Sequence, residues 1–169
     1  TPMRRAAMVP AAVPGRRAMA TATRLTDAVR RRAEVDTLVL GEEADDVRCV
    51  NLMCEHVGRA CVCKLAVALS RLPRLQVLDL SHLALGQLPD TLGDLKDLRR
   101  LVAPGNSLRD ISVISTLGNL EELDVSSNLL TSLPADVLKL PRLRKVRAGG
   151  NDWEKTPQVP KGSGVTIEL

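Results

Sequence analysis

The residues of this chain best suited to chemistry are four cysteines and two histidines. Cys49, Cys54, Cys61 and Cys63 fall close together in the sequence, with His56 among them. Thiolates and imidazoles are the ligands zinc prefers. The spacing C-x4-C-x6-C-x-C nevertheless lacks the paired C-x2-C knuckles of common zinc sites, so it assigns no metal ligands and no cofactor. On the helix expected there, Cys61 and Cys63 face different directions, and at least one of the four is expected as small buried filler. So tight a group is also unlike the spread of a secreted disulfide framework. His82 follows Asp79 and Ser81, but a trio this close along one strand and turn lacks the nucleophile and base geometry of a triad. Glycine motifs that cradle phosphates are missing from the sequence. The expectation is a protein without catalytic residues.

Leucine sets the elements that must position any site. The chain has no Phe and no Tyr, and Trp153 is its one aromatic residue. Its core must therefore come from Leu, Val, Ile and Ala. On the frame L-x-x-L-x-L-x-x-N-x-L, four units fall in phase. Leu75, Leu78, Leu80 and Leu85 make the first, followed by Leu88-Pro89. Leu98, Leu101, Ala103, Asn106 and Leu108 make the second, followed by Ile111. Leu120, Leu123, Val125, Asn128 and Leu130 make the third, followed by Leu133-Pro134. Leu143, Val146, Ala148, Asn151 and Trp153 make the fourth. The unit starts, at residues 75, 98, 120 and 143, give a period of 23, 22 and 23. A weaker and longer unit, running from 47 to 75, puts Val47, Val50, Leu52 and Val57 on the same frame. Residues 58–69 within it read as an amphipathic helix.

By these motifs residues 47–156 resemble the leucine-rich-repeat family. The weaker unit is similar to the longer, helical ribonuclease-inhibitor type, and the later units to the typical 22–24-residue type. The resemblance implies an α/β solenoid, with a curved parallel β-sheet on the concave side and short helices or turns on the convex side. One unit cannot bury its own apolar face, so units stack. Frame positions 1, 4, 6 and 11 are then internal. Asn106, Asn128 and Asn151, at position 9, are implied to form a ladder of amides on turn backbone. Leu83 and Glu55 occupy that position in the other two units, so the ladder is expected to break before Asn106. Residues 25–46 read as an N-terminal cap, with a helix over 25–35 that Thr26 could cap, then a strand through Val35, Leu38, Val39 and Leu40. Residues 157–169 read as a C-terminal cap or tail, with 165–169 a strand or tail.

The resemblance makes the concave face the expected binding surface. Its charged candidates are Arg99 and Arg100, then Glu121, Glu122 and Asp124, then Arg144, Lys145 and Arg147. They alternate basic, acidic, basic. Strands about 4.8 Å apart let Arg99 and Arg100 pair with Glu121 and Glu122, and Arg144 and Lys145 with the same acids from the other side. Such a strip either neutralises itself in weak exposed pairs or docks a charged segment. It suits RNA poorly, because acids interrupt the basic track and no aromatic residue is present to stack on bases.

Residues 1–32 hold eight arginines against one acid, Asp27, for a net charge of +7, whereas the rest of the chain nets −3. Residues 1–24 contain no acid and read as a basic arm, with Arg4, Arg5, Arg16, Arg17 and Arg24 as its candidate contacts. This composition resembles a mitochondrial transit peptide or its remnant. It also fits a solvated arm on a cytosolic protein, and either could touch RNA phosphates non-specifically. No apolar run in the sequence is long enough to cross a bilayer as a helix, so no membrane span is expected. Together these features point to a protein-binding scaffold among the subunits of a larger mitochondrial assembly, respiratory, ATP-synthase or ribosomal. The alternative is a cytosolic adaptor.

Overall fold

A computed structural model describes residues 19–41, 44–50, 54, 60–159 and 163–169. Its centre is one seven-stranded parallel sheet in which strand order follows chain order. The strands are β1 (Ala20–Ala22), β2 (Val35–Val39), β3 (Val77–Asp79), β4 (Arg100–Val102), β5 (Glu122–Asp124), β6 (Lys145–Arg147) and β7 (Thr166–Glu168). Position 4 of the frame runs in register through Leu38, Leu78, Leu101, Leu123, Val146 and Ile167. Leu38, Leu78, Leu101 and Val146 in that row have no exposed surface. The other inward rows are equally buried, from Leu75 to Leu143 at position 1 and from Leu80 to Ala148 at position 6. A core this dense in Leu has the stiff, interlocking packing of protein interiors without an aromatic ring inside it. Trp153 occupies the expected place at the end of the outer row and packs against that core, half-buried.

The chain returns along the convex side through short helices and 3-10 turns. These are α1 (Leu25–Arg30), α2 (Val62–Leu69), α3 (Ala135–Leu138), and 3-10 turns at Asp45–Val47, Asp90–Asp94 and Ser112–Thr116. In α2 the buried side chains Val62, Leu65 and Leu69 follow helical spacing. Among the described residues no helix is long and apolar enough to cross a membrane.

Every turn after a central strand needs a residue in the left-handed region at frame position 8. His82, Gly105, Ser127 and Gly150 have φ of 57°, 66°, 51° and 68° there. A Cβ at Gly105 would in addition run into the His82 ring, which would have to move aside. The asparagine one residue later closes the turn. Asn106 Oδ1 accepts the amides of Leu83 and Leu85, and Asn106 Nδ2 donates to Leu80, Ala103 and Pro104 carbonyls. Asn128 and Asn151 repeat the pattern one and two units on. The ladder thus begins at Asn106, and Leu83 fills the preceding place as a buried apolar side chain.

The N-terminal third differs from the sequence reading. β2 pairs directly with β3, Thr37 opposite Val77, so no unit from 47–75 stands between them, and the described residues of that stretch add no strand to the sheet. Val50, assigned to an inward position, is 82% exposed. Val35, Leu38 and Leu40, read as cap, are a full inward set, all buried. Leu52, Glu55 and Val57 lie outside the described residues. The hydrophobic pattern at 47–57 matched the frame by composition, but strand pairing needs backbone partners, and β2 already occupies the edge of β3. The 1–24 arm also loses its last residues, because Ala20–Ala22 pairs with β2 as the terminal strand.

The first helix is shorter than expected and is capped differently. α1 ends at Arg30, and Val35 opens β2. Arg24 occupies the N-cap position, and Thr26 is not the cap. Instead the Thr26 amide and hydroxyl donate to Asp46 Oδ2, at 2.8 and 2.9 Å. Asp46 therefore satisfies the helix start from a distant part of the chain and lays a negative charge on its positive end. Partial burial pushes the Asp46 carboxyl up, but hydrogen bonds from Thr26 and Leu25 and the Arg24 charge bring it below its ordinary 3.8. A lowered folded value means the carboxylate stabilises the fold fully above pH 3.8 and loses that contribution as pH falls through the folded value. Asp46→Ala is expected to cost about 1 kcal/mol in urea denaturation at pH 7. The difference should shrink as pH falls below 3.8 and through the lowered folded value, and a difference independent of pH would show that Asp46 acts by packing alone.

Candidate functional site

The concave face is built from positions 2, 3, 5, 7 and 8, which the leucine rows hold outward in a grid. It has two halves. Across β2 to β4 it carries Thr37, Val39, Val77 and Val102, all half-buried. Across β4 to β7 it carries charge. Arg99 meets Glu121 at 3.1 Å, and Arg100 meets Glu122 at 3.4 Å, as the strand spacing predicted.

The pairing from the other side is different. Lys145 Nζ reaches Glu168 Oε1 at 2.6 Å, not Glu121 or Glu122. Arg147 Nε meets the same carboxylate at 3.0 Å, while Arg147 Nη1 lies 3.8 Å from Asp124. Arg144 is exposed and makes no ion pair among the described residues. The reason is β7, which lays Glu168 beside Arg147 in register. Hydrogen bonding from Lys145, then the Lys145 charge and the Arg147 contacts, hold the exposed Glu168 carboxyl below its ordinary value. The alternating V-T-I-E-L of residues 165–169 was the available signal for that strand.

Asp79 and Asp124, at position 5 of alternate units, do not point outward as free acids. Asp79 Oδ1 accepts the Ser81 amide at 2.9 Å and the Ser81 hydroxyl. Asp124 Oδ1 accepts the Ser126 amide and hydroxyl at 3.1 and 2.7 Å. The D-x-S sequence in both units marks these side-chain turns. With Asp79 committed to Ser81 and His82 exposed over Gly105, the His82 neighbourhood is a turn device. At the rim where the strands begin, Gln76, Asp97, Arg99, Asn119 and Arg142 line a shallow polar depression of about 230 Å³.

Of the arm candidates, Arg24 is exposed at the start of α1. Arg4, Arg5, Arg16 and Arg17 lie outside the described residues, as does His56.

The structure also assembles a thiol cluster that the spacing did not reveal. An antiparallel bridge joins Arg48 to Ala60, and the Cys61 amide donates to the Val47 carbonyl. That pairing brings Cys49 and Cys61 together, and Cys54 folds over them. The three sulfurs lie within 4.8 Å of one another. Cys49 is 5% exposed inside this cluster, and Cys61 at the start of α2 is 2% exposed. Burial pushes the Cys61 thiol up, but the Lys64 amide and the Cys49 and Cys54 thiols draw it below the usual range. The Cys61 charge, then slight desolvation, pushes the exposed Cys63 thiol the other way. Lys64 anchors its ammonium on the Arg48 carbonyl at 2.6 Å.

A single parallel sheet in chain order, with an asparagine ladder and short convex elements, defines a leucine-rich-repeat solenoid. Residues 119–140 match the family described as Leucine Rich Repeat. Solved structures with the same fold include internalin C2 from Listeria monocytogenes, with a TM-score of 0.57 and 21% identity over 83% of this chain and 54% of that one. Leptospira interrogans LRR protein LIC12759 gives 0.59 and 21%, over 89% of this chain and 47% of that one. The ectodomain of the Arabidopsis thaliana receptor kinase SOBIR1 gives 0.51 and 23%, over 85% and 71%. The chain thus spans about half the length of the two bacterial proteins. No curated protein sequence matches it.

Proposed function

We propose that this chain is a non-catalytic protein-binding scaffold and a peripheral subunit of a large mitochondrial complex, respiratory, ATP-synthase or ribosomal. The observation that carries the scaffold reading is the concave grid. Its side chains are fixed at strand spacing on a stiff leucine core, which lowers the entropy cost of docking a partner. The apolar half across β2 to β4 offers contact area, and the charged half across β4 to β7 offers orientation. Its ion pairs leave Arg144 and the rim depression as the positions open to a partner's acidic groups. The mitochondrial reading rests on the acid-free, arginine-rich composition of residues 1–24. The arm adds non-specific attraction to RNA phosphates where the complex is ribosomal.

A tagged chain should enter mitochondria and sediment with a megadalton particle, and removal of residues 1–18 should abolish import. The truncation must stop there because Ala20–Ala22 is part of the sheet. Nuclease release of the protein separates a ribosomal from a respiratory home. A double reversal, Arg142→Glu with Arg144→Glu, should weaken particle association at least tenfold, because these are the arginines left open to a partner. Its stability should stay within about 0.5 kcal/mol of wild type, because both side chains are exposed. A purely cytosolic protein whose concave face binds a soluble partner would replace this reading with that of a regulatory adaptor.

A further inference from the structure

We propose that Cys49, Cys54 and Cys61 form a thiolate site for a soft divalent cation, with Zn²⁺ as the ion and Cys63 as the fourth ligand. The geometry is close to what zinc needs. Zinc–sulfur bonds of about 2.3 Å in a tetrahedron place the sulfurs about 3.8 Å apart. Cys54 Sγ and Cys61 Sγ are 4.0 Å apart, and all three sulfurs lie within 4.8 Å. Closure around an ion therefore asks for movements of about 1 Å or less. A ligand set of sulfur alone selects zinc over magnesium or calcium, which require oxygen. Cys63 is exposed two residues beyond Cys61, in the first turn of α2, which makes it the nearest thiol in sequence to complete the set.

The position in the fold gives the ion a structural role. The connection from β2 to α2 carries a 3-10 turn and the bridge between Arg48 and Ala60 as its described backbone structure. Ligands at 49, 54 and 61 would tie that connection to the start of α2, at the place where the repeat pattern is interrupted. Such binding free energy is also folding free energy, because the unfolded chain has no assembled site.

The test uses the full chain, reduced and stripped of metal without oxygen. Zn²⁺ alone is titrated against a chromophoric chelator, and Co²⁺ is used as a spectroscopic probe. The expected result is one equivalent bound, with thiolate-to-cobalt charge-transfer absorption and a rise in Tm. Cys54→Ser and Cys61→Ser should each lose more affinity than the roughly 10–100-fold that loss of an outer contact costs. Cys63→Ser, at an exposed position, should fold normally, weaken Zn²⁺ at least tenfold and change the cobalt spectrum. An unchanged spectrum there overturns Cys63 as ligand. If the folded wild-type chain holds Zn²⁺ no better than the Cys49, Cys54 and Cys61 triple serine variant, the site itself is overturned. A Cys54–Cys61 disulfide formed in the presence of excess Zn²⁺ would overturn it as well.

Discussion

Asn106→Ala should lower the stability of this protein by about 3–5 kcal/mol, since each buried polar group left unsatisfied costs about 1–3 kcal/mol. The bonds at stake are unequal. Asn106 Oδ1 takes the amides of both Leu83 and Leu85, and alanine would leave both buried without that acceptor. The Ala103 carbonyl would keep its bond from Asn128, so it loses little. Asn128 Oδ1 takes one amide, that of Leu108, and the carbonyls it serves have other donors in Asn106, Asn151 and Gly105. Asn128→Ala should therefore cost about 1–2 kcal/mol less than Asn106→Ala. Asn151→Ala should cost less again, because Asn151 is only half-buried and water can replace part of its bonding. Urea midpoints at constant m-value would rank the three variants. Equal losses at all three positions would show that the ladder acts through side-chain volume and not through turn amides.

Leu101→Ala is expected to be as damaging, at about 3–5 kcal/mol for a fully buried leucine truncated in a packed core. Leu101 has no exposed surface and sits in the middle of the sheet, with Leu78 and Leu123 opposite it on the two neighbouring strands. The cavity would open between units, where stacking supplies the cohesion of a solenoid. Against a total stability of about 5–15 kcal/mol, the variant should lose much of its cooperative transition. Val67→Ala on the outer face of α2, 56% exposed, should stay within about 0.5 kcal/mol of wild type. A Leu101→Ala loss no greater than that of Val67→Ala would contradict the stacked core. Hydrogen exchange should show protection falling first in β3, β4 and β5.

The fold was legible wherever side-chain rows alone decide it. The regular leucine spacing marked β3 to β6, their outward residues, the ladder from Asn106 onward and the Trp153 position, because stacking forces every unit to bury the same frame positions. The Arg99–Glu121 and Arg100–Glu122 pairs followed from strand spacing. The left-handed position 8 was partly visible in Gly105 and Gly150, while His82 and Ser127 gave no such sign.

What the sequence settled by itself is the repeat, since hydrophobic burial at a fixed period has one economical solution. Tertiary contacts decided the rest. β2 reaches β3 across the whole stretch that holds the thiols and α2, so no local pattern distinguishes it from a cap. Asp46 caps a helix that lies well before it in the chain. Glu168 claims Lys145 and Arg147 because β7 docks on β6. The thiols of Cys49, Cys54 and Cys61 meet through an antiparallel bridge outside the repeat frame. In the first three cases the partners are distant in sequence, and in the fourth they are near in sequence but meet only because the backbone doubles back.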